Sequence, residues 1–382
     1  ISSSNQIILE PQSGTPDDVT ISAPAATDAA TNYIARLSNA AFVTFRNMTF
    51  EPVTGPTYTR AILVENRADD ITFENLRINL PVNTAVTEER TAIHARTSLS
   101  SNIRFINNII TGGSHGILYL GNSSSYSPGT VFTGNTITSV HARPVYFQYM
   151  NGMTFNDNTI THPGSAYSDY YGVSLHNISG YLEMLRNRIT GAVGHALYLS
   201  YCAGIGALQP SLIANNFLHS NSTYATLSIF RGLAHTNIYH NSLHNTSGGA
   251  ALEFDRYQSD GNRIVNNIFK ANTGYVTHFQ NSTLTPNTII ESDYNNLFTS
   301  GPFIARDGSA NYGTVDQWEA ASGFEANSVS YDPQFPSSTD LHASGPGIAS
   351  AGKNLFTVVA SDIDGVVRTA TPSLGGTQFS AA

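Results

Sequence analysis

Asn47-Met48-Thr49-Phe50 and, one period later, Asn75-Leu76-Arg77-Ile78 are the stretches whose reading decides the fold. The same Asn-x-apolar element returns at Asn108, Asn135, Asn158, Asn187, Asn216, Asn241, Asn267 and Asn296, ten copies in all. From first to last is 249 residues, or nine intervals of about 28. A period of about 20 to 50 residues marks a solenoid, a propeller or an array, and four-stranded propeller blades need about 40 residues or more, which excludes the propeller. Intervals run from 23 (Asn135 to Asn158) to 33 (Asn75 to Asn108), as in a coil with a fixed core and loops of changing length.

Between these elements apolar and polar residues alternate, as in Gly172-Val173-Ser174-Leu175-His176, Ala196-Leu197-Tyr198-Leu199-Ser200 and Ala251-Leu252-Glu253-Phe254-Asp255. Period two over a few residues, punctuated by Gly, Asn and Ser, reads as half-buried strands. Stacked coils would set Asn over Asn, where amides bond one another and the corner backbone, and Asn tolerates the left-handed conformation of a tight corner. The expected architecture is all-β, a parallel β-helix of roughly ten or more coils over residues 1–302. Helical periodicity is confined to Val315–Ala321. From about residue 303 the repeat fails, Pro, Gly and Ser become dense, and the single tryptophan, Trp318, appears. Residues 303–382 are expected to form an irregular C-terminal segment that caps or flanks the last coil, because a solenoid end exposes unpaired backbone groups.

The chain has 382 residues, 40% of them hydrophobic, ample for a core, but only 12% charged against the usual quarter or so. Net charge is −9 with no Lys/Arg cluster, which argues against a nucleic-acid partner. The one cysteine, Cys202, allows no intramolecular disulfide and reads as a buried inert thiol. No zinc-ligand spacing occurs, and no apolar run approaches the roughly 18 residues of a membrane span. The N-terminus lacks a basic-then-apolar signal pattern, so the chain beginning at Ile1 reads as a processed or excised piece of a longer polypeptide.

The opening Ile7-Ile8-Leu9-Glu10-Pro11-Gln12-Ser13-Gly14-Thr15-Pro16-Asp17-Asp18-Val19-Thr20-Ile21-Ser22, followed by Ala41-Phe42-Val43-Thr44-Phe45-Arg46-Asn47, resembles the entry coils of right-handed parallel β-helix modules. The far end, with Asp293-Tyr294-Asn295-Asn296-Leu297-Phe298, Asp332-Pro333-Gln334-Phe335, Gly345-Pro346-Gly347-Ile348, Ser361-Asp362-Ile363-Asp364-Gly365, Arg368 and Pro372-Ser373-Leu374-Gly375-Gly376, is similar to their closing segment. The likeness is to modules of very large secreted bacterial surface proteins exported by a type IX route. It implies right-handed coiling, an extracellular or cell-surface location and a place in a larger assembly. The same coil resembles polysaccharide lyases, glycoside hydrolases and phage tailspikes. Tyr170-Tyr171-Gly172-Val173-Ser174-Leu175-His176-Asn177 shares the Tyr-Gly start of the alginate-epimerase signature but lacks its acidic residue, and no glycine-and-aspartate calcium nonapeptides occur.

With Leu197 and Leu199 inward, Tyr198 and Ser200 face out. Extending the alternation gives a first outward column of His94, Tyr119, Tyr146, Ser174, Tyr198, Ser228, Glu253 and His278, and a second of Arg96, Gly121, Gln148, His176, Ser200, Phe230, Asp255 and Gln280. Stacked strands about 4.8 Å apart would make a face rich in Tyr, His and amides, suited to sugars. Tyr119, Tyr146, Gln148, Tyr201, Arg231, Arg256 and His278 are the expected glycan contacts. Two sets could do chemistry. Glu253 and Asp255, about 7 Å apart between Cα atoms, have the paired-carboxylate spacing of glycoside hydrolysis; alternatively they are a surface acidic pair offset by Arg231 and Arg256. His176 with Tyr198 and Tyr201, flanked by Arg186 and Arg188, has the base and the cation that a polysaccharide lyase requires, although the arginines read as lying on another face. His115, His141 and His195 each open a strand and read as corner hydrogen-bonders. Asp332, Asp362 and Asp364 read as turn formers, with a calcium site at Asp362 and Asp364 as the alternative; no other cofactor or metal is expected. The insertions at 83–90, 121–129 and 162–169 are the expected groove walls. The preferred reading is a non-catalytic module that binds polysaccharide or mediates surface attachment, and the competing one a polysaccharide-active enzyme.

Overall fold

The computed structural model describes the whole chain except residues 1, 25, 53–56, 82–83, 98–99, 163–166, 168–169, 256, 258, 281–286 and 381–382. It divides into two compact units, Ile1–Ser179 and Gly180–Ala382, and each is a stack of parallel β-coils.

In the first unit the coil corner is a single left-handed residue: Asn47 (φ 55°), Asn75 (49°), Asn107 (54°), Gly134 (71°) and Asp157 (59°). Asn and Asp accept this conformation at little cost. At Gly134 a Cβ would meet the Asn107 amide oxygen at 2.0 Å, so a side chain there would displace the Asn107 amide. The residue after the corner turns inward. From Asn108 onward it is asparagine, whose Nδ2 donates to Asn135 Oδ1 (2.9 Å), and Asn135 repeats the bond to Asn158 (3.0 Å). Each of these amides also donates to a carbonyl of the coil before, Phe73 or Phe105. Asn47 and Asn75 therefore occupy the corner itself, with Met48 and Leu76 in the inward position. The ladder begins one residue later in the repeat than those first two copies imply. Its start shows in the backbone N–H of Leu76, which donates to Asn108 Oδ1 at 3.0 Å.

Inside this unit Phe45, Phe73, Phe105, Phe132 and Phe155 stack in file at 4.8 to 6.0 Å between centroids. Beyond the corner, Phe50, Ile78, Ile110, Ile137 and Ile160 align in register. All ten of these side chains are essentially buried, each worth about 1.5–3 kcal/mol against exposure. A third run of strands, Thr91–Thr97, His115–Leu120 and the first part of Arg143–Asn156, carries the outward columns.

The second unit repeats the scheme with corners at Arg186, Asn215, His240, Asn266 and Tyr294. Its ladder runs Asn187, Asn216, Asn241, Asn267 and Asn295 with Nδ2-to-Oδ1 distances of 2.8 to 3.1 Å. Asn295, rather than Asn296, is thus the last rung; Asn296 instead pairs with Val329 and bonds Tyr331. Asn295 Nδ2 ends on Glu325 Oε2 (3.0 Å), and Ser292 and Ser328 hydroxyls complete that carboxyl's contacts.

Coiling continues past residue 302, since Ala305–Asp307 pairs in parallel with Thr277–Gln280. The helix expected around 315–321 spans Val315–Ser322, with Thr314 accepting from Gln317 N at its start and left-handed Gly323 at its end. Its Trp318 stacks on Phe279 (5.4 Å, 17°) and meets Tyr312 (5.2 Å), closing the core at this end. The rest of the tail runs back over several coils. Tail contacts include Asp332 with Lys270, Lys353 with Asn266, Gly376 with Ser242, Arg368 with Asn215 and Asp364 with Arg188.

Burial pushes the Glu325 carboxyl above its ordinary range despite its hydrogen bonds from Ser292, Ser328 and Asn295. A raised folded value means that stability falls as pH climbs from the unfolded value of 4.5 through the folded one. Glu325→Gln keeps the geometry without the charge. Its melting temperature is expected to match or exceed the wild type at neutral pH, with the difference closing in acid. A variant that melts lower at neutral pH would refute this assignment.

Candidate functional site

In the second unit the outward column is set by backbone register: Tyr198 pairs with Ser228, Ser228 with Glu253, Glu253 with His278 and His278 with Arg306. The column read from alternation is therefore present here and extends by one cation. Glu253 Oε2 lies 3.3 Å from His278 Nδ1. Burial pushes the Glu253 carboxyl up, but the bond from His278, its charge, a bond from Gln280 and the charge of His195 together hold it below its ordinary value. A general acid needs the opposite shift.

The depressed value makes a stability prediction. Ionised Glu253 contributes above its unfolded value of 4.5, and that contribution is lost as pH falls through the lower folded value. Glu253→Gln is expected to melt below the wild type at neutral pH and to converge with it in acid, read by scanning fluorimetry across pH. Equal melting temperatures throughout would contradict the pairing.

Asp255 follows on the same strand, and its Oδ1 accepts the Tyr257 N–H at 3.0 Å. It lines a cavity of about 340 Å³ with Tyr201, Arg231 and Tyr257. Tyr201 (φ 54°) and Arg231 (φ 62°) are both left-handed, and the Tyr201 N–H donates to the Arg231 carbonyl at 2.8 Å. At Tyr201 the kink falls within the strand His195–Ala203 and at Arg231 just after the strand Leu227–Ile229, and both side chains are exposed. A bond to the Tyr201 hydroxyl, then the charges of Tyr201 and Asp255, hold the Arg231 guanidinium above its ordinary value. Arg231 also sits 5.0 Å from the Phe230 ring centroid, and Phe230 stacks on Tyr198 at 5.9 Å. Around this cavity the rings are open to solvent: Tyr201 37%, Phe230 37% and Tyr257 55% exposed. Arg256 lies outside the described residues.

In the first unit one expected contact is displaced. Tyr119 is fully buried, aligned with Ala95 and Phe147, while Leu118 stands between His94 and Tyr146 and Leu120 between Arg96 and Gln148. Tyr119 is a core residue, and Gly121 falls one place beyond the second column. The cause is legible in Ile117-Leu118-Tyr119-Leu120: with apolar side chains in both phases, alternation does not say which phase faces in.

Tyr146 and His176 do meet, stacked at 4.8 Å. Arg143, which sequence reasoning missed, lies 5.4 Å from the Tyr146 ring and 5.7 Å from Tyr171. Burial, then the Arg143 charge, push the His176 imidazole down to about 4. Burial likewise raises the Tyr146 hydroxyl. Arg143 opens the strand that carries Tyr146 and Gln148, a signal available only once His115 is paired with it in register. In the second unit Arg186 is a corner residue, and Arg188 pairs with Asp364 and Phe217.

His115 and His195 bond the carbonyls of Thr87 (3.2 Å) and Ala225 (2.7 Å), the corner role expected of them. Cys202 is buried. Asp362 is fully buried, and its carboxylate accepts the N–H groups of Asp364, Val366 and Gln378. Asp364 is shared between Arg188 and His342. The Asp362 contacts are those of a turn former, whereas Asp364 holds two distant side chains. Among the described residues no group of three or more His, Cys, Asp or Glu is placed to hold a metal ion, and no helix is long and apolar enough to cross a membrane.

The family described as right handed beta helix region matches residues 33–206 and 91–252. No curated protein matches the sequence. Solved structures of similar fold include a variant of the periplasmic alginate epimerase AlgG, at 10% identity and a TM-score of 0.53 over 78% of this chain and 80% of that one. Another is the A-module of the Azotobacter vinelandii mannuronan C-5 epimerase AlgE6, at 11% identity and 0.52 over 86% and 91%. At such identities the likeness speaks for the fold alone.

Proposed function

This chain belongs to the right-handed β-helix family, and from that premise we propose that it is an extracellular, polysaccharide-binding module, part of a longer surface protein or assembly, that attaches through its outer strand face. The observation that carries this reading is the set of exposed rings, Tyr201, Phe230 and Tyr257, around the Arg231–Asp255 cavity. Exposed aromatic surface flanked by a few fixed polar groups is how a concave site takes the apolar faces and hydroxyls of a sugar. Glu253, held ionised by His278, adds an acceptor for hydroxyls on the neighbouring strand positions.

A second reading, an enzyme acting on a uronate polymer, draws on Arg143, Tyr146 and His176. A neutral imidazole takes the C5 proton beside the carboxylate, the electron pair forms the C4–C5 double bond as the C4–O4 bond breaks, the Tyr146 hydroxyl protonates the leaving glycosidic oxygen, and Arg143 offsets the carboxylate charge. The fold neighbours are named as epimerases of alginate and mannuronan, which makes uronate polymers the first to try. In the hydrolase reading of Glu253 and Asp255, Glu253 would be the base or nucleophile rather than the acid, because its carboxyl is held below its ordinary value.

One experiment separates these readings: a polysaccharide panel scored for retention of the protein and, in the same samples, for reducing ends and unsaturated-uronate absorbance. Retention without products supports the binding module. Unsaturated products that disappear in His176→Ala would establish the enzyme, and silence in every channel would overturn both.

A further inference from the structure

In the second unit the tail is fastened to its coils by an imidazole that has a carboxylate on each nitrogen. His342 Nδ1 bonds Asp340, and its Nε2 bonds Asp364 Oδ2 at 2.8 Å. Neither carboxylate needs the ring to hold its place. Asp340 Oδ1 also accepts the His342 backbone N–H at 3.2 Å, closing a local turn, and Asp364 Oδ1 accepts from Arg188 Nη2 at 2.6 Å. The imidazole stands edge-on to Phe217, 4.9 Å between centroids and 90° between planes, and the Arg188 guanidinium lies 5.5 Å from the same ring. Phe217 is buried with Leu341 and Ile363, so this contact joins two tail segments, 337–342 and 361–365, to each other and to the neighbouring strands of Arg188 and Phe217.

A carboxylate only accepts, so an imidazole that bonds two of them donates from both nitrogens, which only the imidazolium does. The charged groups facing the ring are Asp340 and Asp364 from the tail and Arg188 from the coil. Two carboxylates against one guanidinium leave a negative charge for the imidazolium to balance. The other imidazole on the Phe217 strand, His219, is spent on the Gly191 N–H and the Thr246 hydroxyl, and burial, then the charge of His244, push it down to about 4. Asp364 spends one oxygen on Arg188 and the other on His342, as a link between two cations rather than a metal ligand. Burial pushes the His342 imidazole down, but the bonds to Asp340 and Asp364 and the charges of both hold it above its ordinary value of 6.5.

We propose that His342 is a pH-operated latch on the tail: as the imidazolium it ties segment 361–365 to segment 337–342 over Phe217, and on losing its proton it releases 361–365. The neutral ring keeps one N–H. Asp340, two residues away and fixed by its own turn, retains that N–H on Nδ1, which leaves the Nε2 lone pair facing the Asp364 carboxylate. Lone pair against carboxylate is repulsive, and the link lost is the one between the two segments. A raised folded value means that the contribution is complete below the unfolded value of 6.5 and is lost as pH rises through the folded one. The latch closes in acid and opens in mild base. All three side chains are partly exposed, so solvent screens the pairs and the effect is local to the tail. The proposal rests on neither glycan reading.

The test on the full chain is the NMR titration of His342 together with hydrogen exchange, each amide rate divided by its intrinsic rate at that pH. The reporters are the Ile363 N–H, which donates to Gly376 O at 2.9 Å, and the Asp364 N–H, which donates to Asp362 Oδ1 at 2.9 Å. His342 is expected to titrate above 6.5, and protection of both reporters to fall several-fold between about pH 5.5 and about pH 9, while the Asn216 amide in the inner ladder keeps its protection. His342→Gln, uncharged throughout, should show weakened protection at both ends of the range and no step between them. Asp340→Asn should lower the His342 titration and shrink the step, which keeps the test valid should His342→Gln misfold; Trp318 fluorescence like that of the wild type shows that each variant has folded. A His342 that titrates at or below 6.5, reporters whose protection is constant across the range, or a step of wild-type size in His342→Gln would overturn the proposal.

Discussion

Replacing Asn241 by leucine is expected to cost the fold roughly 3–6 kcal/mol. Asn241 is buried and makes five hydrogen bonds at once. Its Nδ2 donates to Ile213 O, Tyr239 O and Asn267 Oδ1, and its Oδ1 accepts the backbone and side-chain N–H groups of Asn216. Leucine matches the size and removes all five bonds; Asn267 Oδ1, Asn216 Nδ2 and Tyr239 O each keep another partner, whereas the Asn216 backbone N–H loses its acceptor, and each buried polar group left unmade costs about 1–3 kcal/mol before relaxation. Chemical unfolding followed by circular dichroism measures the loss, and hydrogen exchange at the Asn216 amide should rise sharply. Asn75→Gly, at a left-handed corner and outside the inner ladder, should cost only about 1 kcal/mol, the worth of its one bond to Asn47. A leucine variant as stable as the glycine one would mean that the ladder does not hold the coils together.

The second large effect concerns binding. Tyr201→Ala and Tyr257→Ala should each weaken glycan retention about tenfold, and the pair about a hundredfold, since a Tyr anchor at an interface is worth about 1.4 kcal/mol or more. Both side chains are substantially exposed, so the melting temperature should not change. Affinity electrophoresis in gels with a retained polysaccharide gives the number. Unchanged mobility shifts in the double variant would remove the aromatic cavity from the account.

Much of the architecture was legible because the repeat obeys local chemistry. A left-handed corner favours Asn, Asp or Gly, although Arg186, His240 and Tyr294 take it in the second unit, and an amide at the inward position after it satisfies backbone groups that no strand covers. Where both are asparagine, as at Asn107-Asn108 and Asn215-Asn216, or where the inward amide is absent, as at Asn47-Met48 and Asn75-Leu76, sequence alone does not separate corner from rung. The one-residue displacement at Asn47, Asn75 and Asn296 follows from that. The same limit misplaced Tyr119, whose strand is apolar in both phases. In the second unit, where Leu197, Tyr198, Leu199 and Leu252, Glu253, Phe254 alternate cleanly, the outward column was read correctly to its end.

The site was less legible, because its parts are joined by register and kinks rather than by spacing. Arg143 and Tyr146 share one strand, whereas His176, on which Tyr146 stacks, belongs to another. The Tyr201–Arg231 cavity depends on two left-handed residues that no composition rule marks. The tail runs back over several coils, and its partners Asn215, Asn266 and Ser242 are themselves repeat residues, indistinguishable in sequence from those that face water.

Hydroxyl-radical footprinting of the protein saturated with a retained polysaccharide tests the central claim most directly. Protection concentrated at Tyr201, Phe230 and Tyr257 is the result this account predicts; saturating glycan that leaves all three as reactive as in the free protein would contradict it.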